Sequence, residues 1–153
     1  MSEQGNVIRI ADWDDEPLFA PGMTVIASVG NPLENAYCTG KFRPAVLVER
    51  VDGHWLLMGL TSKSTYDNGL PRVAVPNPNR VGLRGPGYLW GDKLTRVNVL
   101  DVSHQIGWVD RQLAIAVADL AHLSPRHRRQ LLAAALKHHF APWGPPPGTA
   151  SVA

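Results

Sequence analysis

Apolar and polar positions change rhythm along the chain, and the changes divide it. Met23–Val29 is rich in β-formers and alternates, which predicts a strand. Pro44–Val51 predicts a second strand, Asp52-Gly53 is a hairpin signal, and His54–Thr61 returns as a third. Arg72–Val75 reads as a short fourth strand stopped by Pro76. Tyr88-Leu89-Trp90 and Leu94–Val99 predict a strand pair or one bent strand, with Gly91 permitting a bulge. Long loops separate these runs, from Gly30 to Phe42 and again around Asn77-Pro78-Asn79, Gly82, Gly85, Pro86 and Gly87.

The last third has a helical period. Asp110 is placed to cap a helix in which Leu113, Val117 and Leu120 share one face. Ser124-Pro125 opens a second helix, with serine at the cap and proline at the first position. Leu132, Ala135 and Leu136 would form its apolar stripe, with Leu131 beside it. Gly144-Pro145-Pro146-Pro147-Gly148 cannot continue a helix. The expected organisation is an arm over residues 1–20, one mainly β (α+β) domain with C-terminal helices over 21–140, and a disordered Pro/Gly-rich tail over 141–153. Within the arm, Val7-Ile8-Arg9-Ile10 is a candidate short strand. Many short strands with Gly/Pro turns point to a small barrel or sandwich.

Charge refines the picture. The net +2 splits into an arm with Glu3, Asp12, Asp14, Asp15 and Glu16 against Arg9, which sums to −4, and a remainder with fourteen Lys/Arg and eight Asp/Glu, which sums to +6. An acidic arm on a basic body suggests an anionic partner for the body, with the arm as an internal competitor. A chain of 153 residues hides about 68–70% of its unfolded surface, enough for a core without metal or disulfides. Cys38 is the one cysteine, which excludes an intrachain bridge and fits a reducing cytosol. No apolar run approaches a membrane span, so a cytoplasmic protein with no membrane contact is expected.

Three segments resemble the MazF/PemK/Kid family of toxin endoribonucleases. They are Lys41-Phe42-Arg43-Pro44-Ala45-Val46-Leu47-Val48, Leu60-Thr61-Ser62-Lys63, and Gly82-Leu83 followed by Tyr88-Leu89-Trp90-Gly91-Asp92-Lys93-Leu94 and Ile106-Gly107. They cover roughly residues 22–136 in the family's order. The resemblance implies an SH3-like β-barrel of the MazF/CcdB/Kid type, a homodimer, and metal-independent cleavage of single-stranded RNA with no cofactor. It also implies neutralisation by an acidic antitoxin peptide. Carried over by position, Arg43, Thr61 and Asp92 are the catalytic candidates. Lys41, Ser62, Lys63, Arg84 and Trp90 are the RNA-binding candidates. The chain departs from the Kid-type pattern where Trp90 replaces an arginine, and its first long loop lacks the histidine of some members. The alternative implied by those departures is a non-catalytic binding protein on the same fold, such as a gyrase-poison-type toxin or a phage-encoded host-interaction module.

The chemistry of these residues fits the first reading. Metal-free cleavage uses the ribose 2′-OH as nucleophile and needs a proton acceptor, a proton donor for the 5′-oxygen and a fixed positive charge on the phosphoryl oxygens. Arg43 carries a permanent charge on a fork that matches phosphate oxygens, and Pro44 holds it extended. Thr61 or Ser62 can donate to the same phosphate, and Asp92 can take the proton. His54 and His104 are candidate acids, and Trp90 is a candidate base-stacking ring. Arg126, Arg128 and Arg129 crowd the start of the last helix with no carboxylate in that helix, an arrangement that an external anion would relieve.

Overall fold

A computed structural model describes residues 19–29 and 41–140. Six antiparallel strands form the sheet: β1 Met23–Val29, β2 Lys41–Val51, β3 His54–Thr61, β4 Tyr88–Leu89, β5 Thr95–Asn98 and β6 Val102–Trp108. Two helices follow, α1 Arg111–Leu120 and α2 Pro125–Phe140. The expected mainly β architecture with C-terminal helices is therefore what the chain forms. The Cys38 loop, the proposed arm strand and the Pro/Gly-rich end lie outside the described residues.

β1 and β3 match their predicted bounds, because β-branched and large apolar residues fill them. The β2–β3 turn places Asp52 at φ 42° and Gly53 at φ 77°, the positive values that a two-residue hairpin turn with strand-matched twist needs. Pairing runs β4-β3-β2-β1-β6, and β5 shares the outer edge of β3 with β4. Val48 is the extra residue of a bulge between Leu47–Leu57 and Glu49–Leu56.

Alternation sends side chains into two separate cores. Val46, Val48, Met58, Leu60 and Leu89 pack against Leu113, Val117 and Leu131 of the helices. Val25, Ala27, Ala45, Leu47, Trp55, Leu57, Val97 and Val102 pack together on the other face. Strands from both ends of the pairing order, β5 and β6, contribute to this second core, so the sheet curls around it. The ring stays open, since β5 passes to β6 through a 3₁₀ turn at Val99–Asp101 rather than a ladder.

Four expectations change. Arg72–Val75 is not a strand and makes a single bridge, Ala74 with Tyr88; Arg72 N–H donates to Ser64 O and Val75 N–H to Gly87 O, and Pro76, without an N–H, cannot extend the pairing. β6 was not foreseen, and a 3₁₀ turn at Pro78–Val81 stands where only loop was expected. The buried stripe of α2 is Leu131 and Ala135, whereas Leu136 is 64% exposed. Finally, carboxylates from neighbouring elements meet two of the α2 arginines: Glu49 of β2 pairs with Arg126 and His127, and Asp119 of α1 pairs with Arg128. The caps behave as expected. Asp110 accepts from Leu113 N–H at 2.8 Å, and Ser124 Oγ accepts from His127 N–H at 3.2 Å. Among the described residues no helix is long and apolar enough to cross a membrane.

Candidate nucleic-acid cleft

The β2–β3 ladder begins at Ala45–Gly59, although both strands run further. Beyond it, Lys41–Pro44 stays paired to β1, while Leu60 and Thr61 pair with β4. The two strands thus part company next to Pro44, which has no N–H to offer a ladder. A cleft of about 440 Å³ lies at this parting. Its walls are Lys41–Pro44 on one side, Leu60–Lys63 on another, and Leu83–Gly87 with Trp90 on the third.

Seven of the eight sequence candidates line it: Lys41, Arg43, Thr61, Ser62, Lys63, Arg84 and Trp90. The eighth, Asp92, is an exposed bend residue that is not part of the lining. His54 and His104 are also outside it. His54 contacts the carbonyl of Asp52 at 3.1 Å, and exposed His104 contacts Ser103 Oγ at 2.9 Å.

Among the described residues the lining contributes four cations and no carboxylate. Among the described residues none of these cations has a carboxylate partner. Arg43 is instead held by an aromatic face, its guanidinium carbon 4.6 Å from the centroid of the Trp90 ring. Its Nε is buried with no hydrogen-bond acceptor among the described residues. Thr61 is 7% exposed, and its Oγ1 accepts from Lys63 N–H at 3.2 Å. That acceptance fixes the oxygen and leaves the hydroxyl proton for another acceptor.

Arg72 is a residue that sequence reasoning passed over. Its guanidinium donates to the carbonyls of Trp90 at 3.0 Å, Lys63 at 3.3 Å and Thr65 at 2.6 Å. It also lies 4.6 Å from the Tyr66 ring centroid and 5.2 Å from that of Trp90. It therefore ties the segment carrying Lys63 to the one carrying Trp90, and so fixes the ring that holds Arg43. Its partners are backbone carbonyls, which leave no trace in a sequence.

The far wall is anchored by side-chain hydrogen bonds and one close backbone approach. Thr24 Oγ1 donates to Val81 O at 2.7 Å, and Asn77 Nδ2 donates to Asp110 Oδ2 at 2.8 Å and Gln112 Oε1 at 2.5 Å. Gly82, at φ 95°, lies against β6 so closely that a Cβ would stand 2.3 Å from Ile106 O.

No family model matches the chain, and no curated protein matches it. Among solved structures the chain is similar to Mycobacterium tuberculosis toxin MazF-mt6, at 22% sequence identity and a TM-score of 0.46, over 67% of this chain and 98% of that one.

Proposed function

We propose that the protein is a metal-independent endoribonuclease of the toxin type that cleaves single-stranded RNA. The observation that carries this reading is the cationic cleft, whose cations have no carboxylate partner among the described residues and in which Arg43, braced on Trp90, and Thr61 both line the wall. The sequence resemblance at Arg43-Pro44, Thr61-Ser62 and Asp92 supports it independently. In the reaction the 2′-oxygen attacks phosphorus, the P–O5′ bond breaks, and a 2′,3′-cyclic phosphate and a 5′-hydroxyl result. Arg43 stabilises the charge that builds on the phosphoryl oxygens, with Thr61 donating a further hydrogen bond. Lys41, Lys63 and Arg84 hold the flanking phosphates. Because Asp92 stands outside the lining, the 2′-OH proton passes to water, and water reprotonates O5′.

That the described lining residues include neither carboxylate nor imidazole is what would favour binding without cutting. Incubation with a long single-stranded RNA in EDTA separates the two readings. Fragments with cyclic-phosphate ends are expected, and intact RNA bound to the protein would replace the nuclease with a binding module.

A further inference from the structure

Phe42 is 70% exposed, although it is an apolar ring on the part of β2, Lys41–Val46, that is paired to β1. It lines the cationic cleft, between Lys41 and Arg43 in the chain. A surface aromatic left uncovered costs hydrophobic free energy that a flat ligand face would recover. The other ring of the cleft is already engaged. Trp90 lies under the Arg43 guanidinium and within 5.2 Å of that of Arg72, so a base reaching it would have to displace a bound cation.

Resting on the ribonuclease reading, we propose that Phe42 is the base-stacking platform of the cleft and that Trp90 is a brace for Arg43. Lys41, Phe42 and Arg43 all line the one cleft, and alternation along β2 separates the ring from the two cations within it. Successive residues of one strand then meet the two chemically distinct parts of a nucleotide. The cations take phosphate, and the ring takes the base. A single strand fits this division because its base faces are free, whereas those of a duplex are stacked. Aromatic stacking tolerates any base, so Phe42 raises affinity across sequences without choosing among them.

The test uses the full chain and a short oligouridylate methylated at every 2′-oxygen, which binds but cannot be cut. Phe42→Ala is expected to weaken binding about 5- to 150-fold, Phe42→Leu to weaken it similarly, and Phe42→Trp to restore it. A ribose-phosphate oligomer lacking bases is expected to bind more weakly than oligouridylate and to be indifferent to Phe42→Ala. Parental affinity in Phe42→Ala overturns the platform while leaving the nuclease reading intact. Loss of affinity in step with dissociation into monomers, followed by sedimentation on the same samples, overturns it in favour of a contact between copies of the chain. Failure of the parental protein to bind oligouridylate overturns the nuclease reading itself and this inference with it.

Discussion

Asp110 joins the sheet, a helix and the cleft wall through one buried carboxylate. It is 3% exposed, and its two oxygens have separate duties: Oδ1 caps α1 through Leu113 N–H and Oδ2 holds Asn77 ahead of the 3₁₀ turn. Asp110→Ala removes a helix cap, about 1 kcal/mol, and costs about 1–2 kcal/mol more by stripping one of the two acceptors from Asn77 in a part-buried setting. The sum, about 2–3 kcal/mol, lowers Tm by about 4–12 °C for a chain of this size. Asp110→Asn keeps one oxygen for one of the two donors, so about half that loss is expected. Gln112→Ala, at an exposed neighbour of the same Asn77, should change stability by less than about 0.5 kcal/mol. Urea unfolding followed by circular dichroism measures all three. An Asp110→Ala protein within about 0.5 kcal/mol of the parent would refute the reasoning, as would an Asn variant no better than the Ala variant.

Two predictions concern the cleft. Arg43→Ala should abolish RNA cleavage and Arg43→Lys should leave most of the loss in place, because lysine keeps the charge but not the planar face that lies on Trp90; Thr61→Ala should reduce cleavage less, and parental rates in Arg43→Ala would reject the site. Deleting residues 1–18 removes a net −4 from the chain, so RNA affinity should rise at low salt and converge on the parental value at high salt, where the charges are screened; equal affinity at both would remove the arm as a competitor.

The parts of the fold that were legible are those whose cause is local. β-branched runs, an Asp-Gly turn and two side-chain caps each act within a few residues, and each appears where the sequence puts it. β6 escaped because Ser103, His104 and Gln105 are all exposed, so the strand has no alternation over its first half. The face of α2 was misread because Leu131 to Leu136 is apolar at every position; periodicity cannot choose a face there, and only packing against α1 and the sheet does. The cleft was legible through short motifs at the parting of β2 and β3, while the brace of Trp90 on Arg43 and the three carbonyls under Arg72 depend on segments that meet only after folding. The crowded arginines of α2 looked like a site for an outside anion, and for Arg126 and Arg128 the anion is a carboxylate of the same chain.

The seating of the Pro78–Val81 turn on β6 has a consequence for mutational tolerance. Gly82 would bring a Cβ to 2.3 Å from Ile106 O, and Gly107 would bring one to 2.8 Å from Val81 O and 3.0 Å from Thr24 Oγ1. Backbone rests on backbone in both directions, so no rotamer change can make room for even one methyl group. In a saturation scan scored by lost activity, both glycines will rank beside Arg43, although neither lines the cleft. Scored by cellular abundance, the glycine variants will fall and the Arg43 variants will persist. A map of intolerant positions drawn from activity alone would therefore place part of the candidate site on the wrong side of this wall.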